Sequence, residues 1–332
     1  MRPVFSTALA LALLIPLASS AQGIETVVGN TQPFTLSVDP QYPVPFSEVS
    51  LSAHSSSLDL TNAVMTVTVA GEQLYRGSVQ PTKIKLGRAG SITRVTVTMT
   101  INGASTVQSV SIVPQDVALA VEPVASAPPL YPGKPLVPLE GDMRIVAVAN
   151  FRTLGGAALN PAALSYAWTV DDTRIANSSG IGKSAVLVAS PIQYRARTVS
   201  VAITSQDGTL VGGDSISLSP QSPSVRVYEN DPLLGILFNR ALLGTYAVAG
   251  AESTLYAAPF SVPLKNGAPL IQWFLNGSPA QTGGSITLRP SGSGQGSATL
   301  SLTASSGNQI NVATASLSLT FGAPASSNFF GL

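Results

Sequence analysis

The sequence predicts an all-β protein: three tandem β-sandwich domains following an N-terminal leader. Three observations predict it. Short stretches alternate Val, Leu and Ile with Ser and Thr, the period-two pattern of a half-buried strand, and Gly, Pro, Asn and Ser punctuate them. A hairpin pattern recurs at a domain-sized interval. Helical periodicity is scarce: only residues 233–243 and Asn160–Leu164 would each make a turn or two of helix.

The elements follow in chain order. Arg2 opens a short basic region, Ala8–Leu17 is an apolar run, and Ser19-Ser20-Ala21 offers small residues for a signal peptidase. The run is too short to span a bilayer, and the pattern is that of a signal peptide cleaved after Ala21. No later stretch reaches the ~18 apolar residues of a membrane helix. The expected divisions are a signal peptide at 1–21, domains at 22–115, 116–221 and 222–322, and a flexible tail at 323–332. Export implies an extracellular, periplasmic or cell-surface location.

The recurrent hairpins run from Thr93 to Pro114, Thr198 to Pro220 and Ala298 to Phe321, with tight turns expected at Asn102-Gly103, Asp207-Gly208 and Gly307-Asn308. Upstream, Trp168 in SYAWTVDDTRI and Trp273 in LIQWFLNGSPA occupy matching strands, with Val67 in the same place in the first repeat. Early strands match at Val49–Ala53, Ile145–Ala149 and Thr254–Ala258. Entry strands match at Val117–Glu122 and Val225–Glu229, each followed by proline-bearing turns such as PPLYPG (128–133). About seven strands per hundred residues is sandwich spacing.

Composition narrows function. Of 332 residues, 17 are Lys or Arg and 16 Asp or Glu, so the net charge is +1 and nothing draws the chain to nucleic acid. There is no Cys, which removes disulfides, thiolate metal sites and cysteine nucleophiles. His54 is the one imidazole. Asp59 lies near it, but no nucleophile elbow in a strand–helix context accompanies them, and the expectation is a surface His in a chain that is not an enzyme.

Glu229-Asn230-Asp231-Pro232, placed at the junction of the second and third repeats, offers oxygen ligands for Ca²⁺; the alternative is a turn whose Asn and Asp accept backbone hydrogen bonds. The Gly-rich run 292–296 has no Lys after it and reads as a loop, not a phosphate cradle. Asn177-Ser-Ser and Asn276-Gly-Ser match glycosylation sequons, triplets common by chance, and read as turn residues. Pro128-Pro129-Leu130-Tyr131 reads as a stiffened domain connection or a docking surface. Phe329 and Phe330, in the tail, read as partner-docking residues.

At the Trp strands the chain resembles immunoglobulin-like and PKD-like β-sandwich modules, in which a core Trp packs between the sheets. Trp168 and Trp273 match that structural-core position; Val67 departs from it, which makes the first domain the least conforming. PPLYPGKPL, YAWTVDD with SSGIGKS, and NDPLLGILFNRAL also resemble a group of uncharacterised three-repeat exported bacterial envelope proteins. What the resemblance implies is a structural, adhesion or scaffold role in the cell envelope, with pilus association among the readings. Partners would be other envelope or surface proteins, and no cofactor is implied. The alternative is a carbohydrate- or protein-binding module of the cell surface, for which Tyr131, Tyr228 and Tyr246 are the available aromatics.

Overall fold

A computed structural model describes residues 33–248, 250–291 and 295–322. The expected signal peptide (1–21), the tail with Phe329 and Phe330, and Gly292–Gly294 lie outside the described residues. Among the described residues the regular structure is strand apart from two single turns of 3₁₀ helix, Pro161–Ala163 and Ala176–Ser178. No helix among the described residues is long and apolar enough to cross a membrane.

Among the described residues twenty-four strands form six sheets, two per sandwich. In the first sandwich β1 (Thr35–Asp39), β2 (Glu48–His54) and β5 (Thr82–Lys85) make one sheet. β3 (Val64–Val69), β4 (Glu72–Ser78), β6 (Thr93–Ile101) and β7 (Ala104–Ile112) make the other, in the order β4-β3-β6-β7. Alternation explains the core: Val95, Val97 and Met99 of β6 point inward while Thr96 and Thr98 face outward.

In the second sandwich β8 (Asp116–Pro123), β9 (Asp142–Asn150) and β13 (Ala185–Ala189) form the sheet β13-β9-β8. β10 (Ser165–Val170), β11 (Thr173–Arg174), β12 (Gly180–Ile181), β14 (Arg197–Thr204) and β15 (Val211–Leu218) form the facing sheet. In the third, β16 (Ser224–Asp231), β17 (Gly235–Ile236), β19 (Ser253–Phe260) and β22 (Ser285–Leu288) face a second sheet. That sheet holds β18 (Gly244–Val248), β20 (Leu270–Leu275), β21 (Ser278–Thr282), β23 (Gly296–Ser305) and β24 (Val312–Phe321). β18 runs parallel to β24, whereas the β16–β19 and β23–β24 ladders are antiparallel. The architecture is that of tandem Ig-like sandwiches.

The repeat register is exact at one place. Trp168, Trp273 and Val67 are each 0% exposed, and their partners across the central ladder are Val201, Leu302 and Val97. Each indole N–H, which would be costly to bury unpaired, donates to a backbone carbonyl: Trp168 to Lys183 at 2.8 Å, Trp273 to Gly283 at 2.9 Å. Three residues on, Ala70, Asp171 and Asn276 all take positive φ (52°, 46° and 49°) in the turn that follows. Asp171 and Asn276 secure that turn with their side chains, accepting from the amides of Thr198 (2.9 Å) and Thr299 (2.8 Å). Ala70 has no side-chain oxygen to do so.

Three expectations need correction. Asn102 and Gly103 do form a two-residue turn with positive φ at both positions (50° and 84°). Asp207-Gly208 and Gly307-Asn308 instead lie in six-residue loops, Ser205–Leu210 and Ser306–Asn311. In each loop the opening Ser hydroxyl donates to the side chain two residues on, 2.5 Å to Asp207 in one and Asn308 in the other. The same oxygen accepts the closing amide, Leu210 at 3.0 Å or Asn311 at 3.3 Å. This side-chain closure replaces the tight turn, and positive φ falls on Gly208 and Gln309.

The predicted helical turns at 233–243 are absent. Asp231 accepts from the amides of Leu233 (2.8 Å) and Leu234 (2.9 Å), and Gly235 at φ 74° turns the chain back so that Ile236 pairs with Asn230. At Asn160–Leu164 the turn is 3₁₀, with Asn160 capping the amide of Ala162 at 3.0 Å. Third, residues 128–133 do not connect domains; they lie within the second sandwich, in the connection from β8 to β9.

The chain divides into two compact units. One comprises 33–41, 49–84 and 93–112 of the described residues; the other comprises 42–48, 85–92 and 113–322. The second and third sandwiches therefore share a unit, and the contacts explain why. Val124–Ser126, from the β8–β9 connection, pair antiparallel with Ser261–Leu264 of the third sandwich. Ser126 N donates to Val262 O and Ser261 N to Ser126 O, both at 2.8 Å; Leu264 N donates to Val124 O at 3.1 Å. Ser126 Oγ accepts from Val262 N at 3.0 Å, and Ser261 Oγ from Leu136 N at 2.9 Å. Asn311 Nδ2 donates to Leu139 O (2.9 Å), Lys265 pairs with Asp142 (3.0 Å), and Tyr131 meets Phe260 edge-on at 5.1 Å.

Candidate functional site

Two concavities stand out in the larger unit. The first is a cleft of about 650 Å³ at one end of the second sandwich, between the β9–β10 connection and the β14–β15 loop. Its apolar walls come from Leu154, Leu159, Leu164 and Leu210, and Asn160 and Asp207 stand at its rim. Local chemistry holds both sides in place. Thr153 Oγ1 accepts from Ala157 N at 3.1 Å, Gly156 takes φ 87°, and Asn160 caps the 3₁₀ turn. Opposite, the hydroxyls of Ser205 (2.5 Å) and Thr209 (2.8 Å) donate to Asp207 and hold its carboxyl below the ordinary value. Leu154 remains 57% exposed.

The second is a groove of about 660 Å³ on the third sandwich, where the chain passes from β16 to β18. Glu229, Asn239, Arg240, Leu242 and Tyr246 line it. Burial pushes the Tyr246 hydroxyl up, a hydrogen bond with Ser253 opposes the shift, and the Glu229 carboxylate adds to it. Close by, Phe238 meets Tyr228 at 5.2 Å and Tyr256 at 6.2 Å, both edge to face, and all three rings are half-buried.

The sequence-predicted residues fall as follows. His54 is exposed, and its Nε2 lies 3.1 Å from Ser37 Oγ; Asp59 accepts from Thr61 N (2.9 Å) and Oγ1 (2.6 Å), which lower its carboxyl. The structure does not bring the two together. Glu229 and Asp231 are the sixth and eighth residues of β16, at the far end of that strand from where the chain enters the third sandwich, and Asp231 is occupied by the amides of Leu233 and Leu234. Among the described residues no three His, Cys, Asp or Glu side chains gather into a metal-binding group. Trp168 and Trp273 are core. Tyr131 packs on Phe260, Tyr228 joins the aromatic cluster, and Tyr246 lines the groove.

Sequence reasoning missed the cleft. Its two sides are some fifty residues apart, and each reads alone as a turn. The available signal was Leu154 and Leu159, large apolar residues in a Gly- and Ala-rich loop where nothing local would cover them.

No protein-family model and no curated protein matches the chain. Among solved structures, the three N-terminal domains of the bacteriophage RB49 outer capsid protein Hoc are 13% identical, covering 87% of this chain and 98% of that one, with a TM-score of 0.24. The fibronectin(III)-like modules of Clostridium thermocellum CbhA are 12% identical over 62% of this chain and 95% of that one (TM-score 0.23). The central fibronectin-III array of RIM-binding protein is 8% identical over 85% and 93% (TM-score 0.27). The Ig-like assignment rests on strand order and the buried indoles.

Proposed function

We propose that this protein is a non-catalytic, exported stalk or scaffold of the bacterial cell envelope, pilus-associated in its setting and bound to other envelope or surface proteins. Its modules are 22–115, 116–221 and 222–322, released from the leader 1–21 and ending in a docking tail at 323–332. The observation that carries this reading is the backbone ladder between Val124–Ser126 and Ser261–Leu264. A linker joining two modules by one covalent strand leaves them free to reorient. Backbone hydrogen bonds between modules, closed by Ser126 and Ser261 hydroxyls, oppose that motion and let the pair transmit force as one body.

The absence of Cys makes the test direct. Nitroxides on Leu187→Cys and Gln281→Cys, exposed on the second and third sandwiches, should report one narrow distance distribution by electron–electron resonance. A broad distribution rejects the stalk. Fractionation of the tagged full chain should recover a mature form beginning at Gln22 in the envelope; an unprocessed cytoplasmic chain rejects export.

The alternative, a carbohydrate-binding module, is favoured by the Tyr228–Phe238–Tyr256 cluster beside the Glu229–Arg240 groove, because sugar faces stack on aromatic rings while polar groups take the hydroxyls. Glycan-array binding lost in Tyr228→Ala and Tyr256→Ala would establish it in place of the stalk.

A further inference from the structure

We propose that Phe329 and Phe330 of one copy enter the cleft lined by Leu154, Leu159 and Leu210 in the second sandwich of another copy, joining copies head to tail. The inference rests on the docking role given to the tail above and names its partner.

The cleft and the tail suit each other chemically. The cleft, at about 650 Å³, falls within the ~300–1,000 Å³ range of sites that engulf small apolar groups. Its walls are leucine, and Asp207 is the one charged residue lining it. Residues 323–332, Ala-Pro-Ala-Ser-Ser-Asn-Phe-Phe-Gly-Leu, contain no acidic or basic side chain to desolvate and two adjacent phenyl rings to bury. Each ring removes ~150–250 Å² from water when covered. Asn160 and Gln206 at the rim offer amides to the backbone of an incoming segment.

Reach decides between a copy's own cleft and another's. β24 starts at the loop whose Asn311 binds Leu139 of the second sandwich, and it ends at Phe321 on the far side. Ten residues of strand put that end ~33 Å from the junction. Within the second sandwich the cleft lies at the Thr204–Val211 end of the β14–β15 hairpin, while the Arg197–Leu218 end leads into the third sandwich. Eight residues add ~26 Å. A copy's own cleft is therefore roughly 60 Å from Gly322, whereas Phe330, eight residues beyond Gly322, reaches at most ~29 Å. Tail exit and cleft lie at opposite ends of the two-sandwich unit. A contact between different surfaces of successive copies need not close, and it generates an open chain.

Sedimentation velocity on the full mature chain tests this. The wild type should lengthen through a series of oligomers as concentration rises. Phe329→Ser/Phe330→Ser, which removes the tail anchors, and Leu154→Asp, at a half-exposed wall position that folding does not need, should each be monomeric, with unchanged Trp fluorescence. Leu187→Asp, an exposed leucine elsewhere on the second sandwich, should still assemble. An equimolar mixture of the tail variant and the cleft variant should give a dimer and nothing longer, because only one productive contact is left. A labelled 323–332 peptide should bind the tail variant and not Leu154→Asp. A wild type that stays monomeric to its solubility limit overturns the proposal, as do oligomers that survive both variants. Assembly lost in the tail variant but kept in Leu154→Asp also overturns it, and moves the tail's docking role to a different surface of the second copy. A cleft that takes an apolar dye but not the peptide assigns it to a small apolar ligand instead.

Discussion

The loops Ser205–Leu210 and Ser306–Asn311 have the same backbone and the same closure by a serine hydroxyl, yet they face different surroundings. In the second sandwich the loop walls an open apolar cleft. In the third, the corresponding end is clasped: Asn311 bonds Leu139, Ser261 bonds Leu136 and Ser126, and a cross-module ladder runs beside them. Loop conformation is local chemistry, repeated at the repeat interval. Whether such a loop end binds something or is bound depends on what the neighbouring module presents.

The comparison can be broken most severely at the cores. Because Trp168 and Trp273 are equally buried and equally hydrogen-bonded, Trp168→Ala and Trp273→Ala should each cost about 3–5 kcal/mol in denaturant unfolding. Costs differing by more than a factor of two would end the equivalence of the two sandwiches. Next in size is the clasp. Ser126→Ala strands the amide of Val262, which is 0% exposed, and should cost ~1–3 kcal/mol. Calorimetry should then resolve two endotherms where the wild-type pair melts as one; a single unshifted endotherm would mean the ladder does not couple the modules.

A gain sharpens the repeat alignment in the first sandwich. Ala70 occupies, at φ 52°, the position where Asp171 and Asn276 cap the following strand. Ala70→Asn should stabilise by ~0.5–1 kcal/mol, since Asn tolerates that backbone region and supplies the missing acceptor. An unchanged melting temperature would argue against the alignment.

The smallest effect separates the paired loops by pH. Hydrogen bonds from Ser205 and Thr209 lower the Asp207 carboxyl, so their contribution is complete above the group's unfolded value and is lost as pH falls through its folded one. Protection of the Thr209 amide, measured against its intrinsic exchange rate at each pH, should fall on acidification, while Ile310, whose amide points to the non-titrating Asn308, should not show the same step. Asp207→Asn should abolish the difference.

Much of the fold was legible because strand patterning is local. Alternation placed Val67, Trp168 and Trp273 in register from sequence, and Asn102-Gly103 announced its turn through residues that tolerate positive φ. The same reasoning failed at Asp207-Gly208 and Gly307-Asn308. There a serine several residues away closes a wider loop, and dipeptide signals do not include it. It failed too at Pro128–Gly133, because proline marks an extended connection without saying which elements it connects. For Glu229 and Asp231 the sequence left two readings, shared ligands or a turn that accepts backbone hydrogen bonds, and Asp231 takes the amides of Leu233 and Leu234 as the second describes.

Period-two alternation, turn residues and a repeat of about a hundred residues determined the all-β class, the sandwich units and the buried indoles, since each depends on neighbours within a strand or one hairpin. Only the tertiary structure decided that the second and third sandwiches are clasped together, that Leu154 and Leu210 face each other across a cleft, and that Tyr228, Phe238 and Tyr256 touch. Those pairings join residues from separate strands and connections, and no local pattern in a chain specifies which distant surface will cover it.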